Sequence, residues 1–149
     1  MTSVSSTVET SHGAMDLQRV LGMMMISKSK AIFIVDDNPS MLKGMKRLLR
    51  VHGFNVTLFD SSAALLGHAD FDDAFCVILD IDLNNESGID LHRQLAGRGV
   101  KLPVIFITGN DSDANRSAAI DSRCIAYLTK PFSARSLIES VKKARRASF

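Results

Sequence analysis

Four short apolar runs in this chain each end at, or just before, a polar side chain that can bind phosphate or a metal ion. Ligands of open α/β sheets bind at the carboxyl ends of the strands, so these side chains meet at one edge if the runs are parallel strands. Three carboxylates, a hydroxyl and an ammonium group in one place suit a magnesium ion and phosphoryl transfer. The runs and the polar residues after them are 31–35 with Asp36 and Asp37, 76–79 with Asp80, 104–107 with Thr108, and 125–128 with Lys130.

The same positions, taken in order, carry a resemblance to a known family. Any one of them alone is weak evidence, whereas the whole set, each at a strand end, is strong. Over about residues 29–146 the chain resembles the receiver domain of two-component response regulators, the CheY-like superfamily, standing alone without an effector domain. The residues that carry the resemblance are Asp36-Asp37, Asp80, Thr108, Tyr127 and Lys130-Pro131.

The resemblance implies a phosphoacceptor and a metal site. Asp80 is the expected nucleophile, which would attack a phosphohistidine and form an acyl phosphate. Mg²⁺ is the implied cofactor, bound directly by Asp37 and Asp80, largely through water by Asp36, and by the backbone carbonyl of Asp82. Crowded carboxylates repel one another, and a hard divalent cation relieves that repulsion.

The resemblance also implies a switch. Lys130 would place its charge on one phosphoryl oxygen and Thr108 would donate its hydroxyl to another. Movement of Thr108 toward Asp80 would vacate space for the ring of Tyr127. The surface made by the fourth helix, fifth strand and fifth helix would change with it, and the Lys130-Pro131 peptide bond is expected to be cis.

Strands and helices alternate from residue 30 onward, which predicts right-handed crossovers and a parallel sheet covered on both faces. The predicted fold class is α/β, a doubly wound five-stranded parallel sheet with five helices, flavodoxin-like, in three α/β/α layers. Asn38, Ser61 and Ser133 are expected to cap helices. The helix over about 112–122 has only alanines and Ile120 as anchors and is predicted to be the least firmly packed.

The domain organisation follows from composition. Residues 1–29 are predicted to be an extension that is disordered or weakly helical, and residues 30–149 a receiver domain; Met23, Met24 and Met25 allow a natural start inside the extension. No apolar run is long enough to span a bilayer, so we expect a cytoplasmic protein with no membrane contact. The two cysteines, Cys76 and Cys124, are expected to be reduced and to pack as small apolar residues.

The remaining charged residues suggest no further site. Lys142, Lys143, Arg145 and Arg146 are interpreted as a solvated helix end, and no direct DNA binding is expected because no helix-turn-helix follows them. The four histidines share no metal-ligand spacing and are interpreted as surface or interface residues: His12, His52, His68 and His92.

The expected partners are a histidine kinase or histidine phosphotransfer protein, and a downstream protein that binds the switching surface. A phosphorylation-dependent homodimer stays open. No enzymatic turnover is expected beyond the domain's own phosphorylation and dephosphorylation. The loop after Asp80 departs from the family, with Asn84 and Asn85 where proline and glycine are usual, and Asp82 adds an acid.

Two other functions compete with this interpretation. Asp80-Ile81-Asp82 also resembles the Asp-x-Asp of haloacid-dehalogenase-type phosphatases, but those enzymes carry their nucleophile on the first strand, whereas here an acidic pair comes first. A receiver-like binding module that never accepts phosphate is the third hypothesis, and the complete set of polar residues argues against it.

Overall fold

Five parallel strands form the centre of the fold, and four of them correspond to the four apolar runs of the sequence. The computed structural model describes residues 17, 30–68 and 70–148. The strands lie side by side in the order β2-β1-β3-β4-β5 and are all parallel. They are β1 (Ala31–Val35), β2 (Asn55–Phe59), β3 (Ala74–Asp80), β4 (Val104–Thr108) and β5 (Ala126–Thr129).

The central strand β3 is buried along its whole length, as its unbroken apolar run predicts. The strand order reverses between β1 and β3. In open α/β sheets such a switch point leaves a crevice at the carboxyl ends of the two strands. The fold therefore places residues 36, 37 and 80 where a ligand site is expected.

Five α-helices alternate with these strands in the described part of the chain. The predicted caps are confirmed: the Asn38 side chain accepts hydrogen bonds from the backbone N–H groups of Ser40 (2.9 Å) and Met41 (3.1 Å), and Ser61 and Ser133 cap two others. The helices are α1 (Pro39–Val51), α2 (Ser62–Leu66), α3 (Gly88–Gly97), α4 (Asp113–Asp121) and α5 (Ala134–Ala147).

The helices cover both faces of the sheet. Neighbouring residues of β1 point to opposite sides, so Ile34 packs with Leu49 of α1 and Val141 of α5, while Phe33 lies in the cluster that α2, α3 and α4 cover. The predicted three-layer α/β/α architecture is confirmed. A short 3₁₀ turn (Phe71–Asp73) and a hairpin of two-residue strands (Asp82–Leu83 and Glu86–Ser87) complete the described elements.

The hairpin explains how the chain accommodates its unusual loop. Asn84 and Asn85 form its turn, and Asn85 has a φ of 57°, in the left-handed region that asparagine tolerates better than most residues. Asparagine here therefore makes a tight turn without the usual glycine.

Helix α4 is only lightly anchored, as predicted. Ala119 is its single buried residue. The prediction that Ile120 anchors this helix is wrong, because its side chain is 70% exposed. A helix held by one alanine gains little from apolar burial, so α4 can shift at small cost.

Several predicted surface residues are packed against aromatic rings. The His68 ring lies edge-on to Phe33, with ring centroids 4.9 Å apart, and His92 is half-buried against Phe106, where burial lowers its pKa. Their interpretation as surface or interface residues is only partly right, because both side chains are half-buried against these rings. Arg145 is also more than a solvated charge, since its guanidinium lies over the ring of Phe54 at 4.8 Å.

The cysteines have the predicted form. Cys76 and Cys124 are free thiols, and burial raises the pKa of Cys76 to about 12. Within the described residues, no helix combines the length and hydropathy needed to cross a membrane. The predicted N-terminal extension lies, apart from residue 17, outside the described residues.

Candidate functional site

Three carboxylates meet at the carboxyl edge of the sheet, as the sequence predicts. Asp36 and Asp37 follow β1 directly, and Asp80 is the last residue of β3. One carboxylate oxygen from each lies within 4.8 Å of those of the other two. Asp36 is 0% and Asp80 2% exposed, so two of the three acids have almost no contact with bulk water.

Backbone hydrogen bonds fix the two buried carboxylates. Asp36 Oδ1 accepts from the N–H of Asn38 (2.9 Å), and Asp80 Oδ1 accepts from the N–H of Asp82 (3.0 Å). Since these donors belong to the turns that leave β1 and β3, the same chain reversals that end the strands also orient the acids.

Lys130 brings the positive charge that the sequence predicts for this edge. Its ammonium donates to Asp36 Oδ2 and to Asp80 Oδ2, each at 3.2 Å. Its backbone N–H donates to the carbonyl of Thr108 (2.8 Å), and the peptide bond that follows, Lys130–Pro131, is cis as expected. Partial burial lowers the pKa of Lys130, but the two carboxylates outweigh it and hold that pKa above its ordinary value.

The electrostatic environment disfavours the charge on Asp80. Burial is the largest cause and the Asp36 carboxylate adds to it, while the Asp82 N–H and Lys130 act in the opposite direction. The result is a pKa raised from 3.8 to about 6. Asp80 is therefore still a carboxylate at neutral pH, but a destabilised one.

The cluster has the donor chemistry of a site for a hard divalent cation. Three carboxylates against one ammonium leave two negative charges uncompensated in a largely buried place, and all the donor atoms are oxygens. Mg²⁺ prefers this donor type and relieves this repulsion. The residues present therefore fit the metal that the sequence analysis predicts, with Asp36, Asp37 and Asp80 as the carboxylates that meet.

Thr108 lies at the same edge, but its hydroxyl is already engaged. The residue is fully buried at the end of β4. Its Oγ1 donates to Oδ2 of Asp82 at 2.6 Å and accepts from the N–H of Asn110 at 2.9 Å. The sequence predicts a role for the Asp82 backbone carbonyl only, and the contact of its side chain with Thr108 comes from the structure.

Tyr127 of β5 contacts a different group of side chains, in α4 and in the loop before it. Its hydroxyl donates to Asp111 Oδ1 (3.1 Å), and the guanidinium of Arg116 stands 5.0 Å from its ring centroid. Arg116 also grips both oxygens of Asp111, at 3.1 and 2.7 Å. Burial and the hydrogen bond to Asp111 raise the pKa of Tyr127, whereas the hydrogen bond from Arg116 lowers that of Asp111.

Sequence reasoning missed three residues that shape this region. A Cβ at Gly88 would collide with the carbonyl oxygen of Asp80 and lie 2.9 Å from its carbonyl carbon, so only glycine lets α3 begin so close to the end of β3. A glycine directly after a polar loop was the available signal. Asp111 and Arg116 gave none, because an acid and a base five residues apart around a helix start are common.

The comparisons with known proteins agree with this geometry. Residues 32–142 match the family model described as response regulator receiver domain. The response regulator protein TodT of Pseudomonas putida is 31% identical over 120 residues, which is 80% of this chain and 53% of that protein. The sensory transduction protein RegX3 of Mycobacterium tuberculosis is 34% identical over 116 residues, 78% of this chain and 51% of its own.

A solved structure shows the same fold. The CheY-like response regulator receiver domain protein from Methanospirillum hungatei superposes with a TM-score of 0.73 at 25% identity, covering 80% of this chain and 96% of its own. The present chain spans about half the length of the curated relatives it matches.

Proposed function

The chain belongs to the response regulator receiver domain family, and from this we propose that it accepts a phosphoryl group on Asp80 from a histidine kinase or a histidine phosphotransfer protein. Members of this family are signalling domains of response regulators, not classical enzymes. The observation that carries the proposal is the buried Asp80 carboxylate at the end of the central strand, set between a second buried acid and Lys130.

In the proposed reaction, an oxygen of the Asp80 carboxylate attacks the phosphorus of a phosphohistidine. The new O–P bond forms as the N–P bond breaks, and the electron pair of that bond leaves with the imidazole nitrogen. The product is an acyl phosphate on Asp80. Attack needs the carboxylate form, and a pKa of about 6 leaves Asp80 ionised at neutral pH.

The other residues of the edge support this reaction by position and charge. Lys130 already donates to an Asp80 oxygen, so its ammonium would be in position to stabilise the negative charge that develops on a phosphoryl oxygen. Thr108 would donate its hydroxyl to a second phosphoryl oxygen. Mg²⁺ held by Asp37 and Asp80, with Asp36 through water and the Asp82 carbonyl, would supply positive charge that offsets the carboxylates and the phosphoryl oxygens.

The output we propose is a change in the surface made by α4, β5 and α5. Tyr127 lies on β5 and contacts Arg116 of α4, and α4 has a single buried anchor. A side chain that moves here therefore moves the helix that is held least. A downstream protein that recognises one arrangement of this surface would be the partner, in a cytoplasmic signalling pathway; a phosphorylation-dependent homodimer would use the same change.

The test is to incubate the protein with Mg²⁺ and a small phosphodonor such as acetyl phosphate, and to analyse the intact protein by mass spectrometry. We expect one stoichiometric phosphoryl adduct, stable to acid and labile to base. Asp80→Asn should abolish it, whereas the matched control Asp90→Asn, an exposed acid of α3, should label normally. Persistent labelling of Asp80→Asn would refute the role of Asp80.

The same experiment tests the other two functions. Continuous release of phosphate in excess of protein would favour a phosphatase of the Asp-x-Asp type. No adduct, either from the small donor or from a histidine kinase, would favour a receiver-like module that binds partners without phosphorylation.

A further inference from the structure

Asp82 holds the only proton that the Thr108 hydroxyl can donate. The separation of 2.6 Å between Thr108 Oγ1 and Asp82 Oδ2 is in the range of a charge-assisted O–H···O⁻ bond, which is shorter and stronger than a neutral one. The carbonyl of Asn110 is a more distant acceptor at 3.2 Å. The Thr108 oxygen also accepts a hydrogen bond from the Asn110 N–H. In this arrangement the hydroxyl therefore has no free proton to donate to a phosphoryl oxygen.

Asp111 accepts the only proton that the Tyr127 hydroxyl can donate. The phenol proton points to Asp111, and Asp111 is clamped in turn by two hydrogen bonds from Arg116, which also covers the Tyr127 ring. The three side chains form a closed triangle between β5, α4 and the loop before α4. The ring cannot turn inward without leaving both of its partners.

We propose that Asp82 and Asp111 are positioning residues that lock the two switch side chains, Thr108 and Tyr127, in the unphosphorylated arrangement. Phosphorylation then has to displace both carboxylates. This inference rests on the proposed function, since it assumes that Asp80 is the phosphoacceptor, and it names how that site is restrained.

The lock opens because the phosphoryl group competes with Asp82 in two ways. It offers Thr108 a charged acceptor of the same kind, and it brings negative charge to the end of β3, two residues from Asp82. Asp82 is exposed, so its carboxylate can turn to water when the hydrogen bond from Thr108 breaks. The free energy of the contact between Asp82 and Thr108 therefore sets what fraction of the phosphorylated domain adopts the switched arrangement.

Opening of the second part of the lock carries the signal outward. Once Tyr127 leaves Asp111, Arg116 loses the cover of the ring, and Arg116 belongs to α4. Since Ala119 is the one buried residue of that helix, few other contacts oppose its movement. Asp111 thus links a change at the buried hydroxyl of Thr108 to a movement of the exposed helix α4.

The test of the inner contact is a double-mutant cycle. We would measure the affinity of the Mg²⁺-loaded protein for beryllofluoride, a phosphoryl mimic, for the unmodified protein, Asp82→Ala, Thr108→Val and the double variant. Tyrosine fluorescence follows binding, because Tyr127 is the only tyrosine and the chain has no tryptophan. Glu86→Gln is the matched control, since it removes an exposed acid of the same hairpin that does not hold Thr108.

Asp82→Ala is expected to tighten beryllofluoride binding about three- to tenfold, the range for a charge-assisted bond at a partly exposed place, and Asp82→Asn by less, because its amide oxygen still accepts from Thr108. In the Thr108→Val background the effect should fall to that of Glu86→Gln. Equal effects of Asp82→Ala in both backgrounds would overturn the lock and leave the proposed function intact. Failure of the unmodified protein to bind beryllofluoride would overturn both.

The outer contact is tested with Asp111→Ala and its control Asp121→Asn, which removes a charge from the far end of α4, the helix that follows Asp111. Asp111→Ala should lower the pKa of Tyr127, measured by the ultraviolet absorbance of the phenolate, and tighten beryllofluoride about twofold, as suits an exposed pair. The control should change neither. An unchanged Tyr127 pKa in Asp111→Ala would overturn the outer half of the lock, whether or not the protein accepts phosphate.

Discussion

Replacing Asp80, the proposed phosphoacceptor, by asparagine should make the metal-free protein more stable at neutral pH. Asp80 is 2% exposed and lies beside Asp36, which is fully buried, while Lys130 is the one cation among the described residues that contacts both. Asp80 accepts the Asp82 N–H on Oδ1 and Lys130 on Oδ2, so asparagine, with one acceptor oxygen, keeps the hydrogen bond from Asp82 and loses the one from Lys130 while it removes the charge. Relief of an unfavourable buried charge outweighs the loss of that one contact, because Lys130 still bonds Asp36.

The raised pKa gives the size and the pH dependence of this effect. A folded-state pKa of about 6 against an ordinary 3.8 means that the folded protein binds this proton more tightly than the unfolded chain. Stability from this group is thus intact below pH 4, falls as the pH rises through 6, and stays low above it. At 1.36 kcal/mol per pKa unit the full loss is about 3 kcal/mol.

We therefore expect Asp80→Asn to raise the free energy of unfolding by about 1–3 kcal/mol at pH 7.5 with a chelator present. That corresponds to roughly 4 °C in Tm for each kcal/mol in a domain of this size. At pH 5 the linkage relation leaves roughly half of the gain. Mg²⁺ should also reduce the difference in unfolding free energy between Asp80→Asn and the unmodified protein. A ligand stabilises the folded state that binds it, and the unmodified site should bind Mg²⁺ better because it has one more carboxylate.

The assay is urea unfolding followed by circular dichroism at pH 5 and 7.5, with chelator or with Mg²⁺. Asp90→Asn serves as the control and should stay within about 0.5 kcal/mol of the unmodified protein, as exposed substitutions do. An Asp80→Asn variant that is no more stable than the unmodified protein at pH 7.5 without metal would refute the electrostatic reasoning. So would a gain of the same size at both pH values, because a change in packing would not follow the titration.

Three further outcomes are expected. Gly88→Ala should lower both stability and the rate of labelling, since its Cβ collides with the backbone of Asp80 at the end of β3, whereas Gly44→Ala, with open space around it, should be neutral or stabilising by up to about 1 kcal/mol; equal urea midpoints would contradict this. Lys130→Met should destabilise the metal-free protein by about 1–3 kcal/mol at pH 7.5, because two buried carboxylates lose their cation, and added Mg²⁺ should recover part of it in the same unfolding assay. The absorbance titration of Tyr127 should give a pKa above that of free tyrosine, and Asp111→Ala should bring it down; a normal value in the unmodified protein would show that the two side chains do not meet in solution.

The sheet and the buried acids could be predicted because their signals are local and repeated. An apolar run that ends in Asp80 identifies a strand and the edge at which its last residue lies. Parallel strands then bring Asp36, Thr108 and Lys130 to that edge whatever the details of packing. The caps at Asn38 and Ser133 were equally accessible, because a capping side chain bonds the backbone two or three residues away.

The contacts of Thr108 and Tyr127, the proposed switch residues, could not be predicted, because they depend on side-chain directions between elements distant in sequence. Thr108 and Asp82 are 26 residues apart, and nothing in either neighbourhood indicates which way the carboxylate turns. The environment of the histidines could not be predicted for a related reason. His68 and His92 lack partner acids, but aromatic rings from other elements of the fold lie against them. Spacing shows which residues share an edge, and only packing shows which of them touch.

The arrangement of charge at this edge explains why a site that weakens the fold is retained. A second cation beside Asp80, or a neutral residue in place of Asp36, would stabilise the Asp80 carboxylate, and either change would reduce the two uncompensated charges that favour a divalent ion. Burial in this crevice and, after it, the proximity of Asp36 raise the pKa of Asp80, and the same crowding of Asp36, Asp37 and Asp80 favours a divalent cation. Any substitution that stabilises the metal-free protein by reducing this repulsion should therefore weaken Mg²⁺ binding by a comparable free energy.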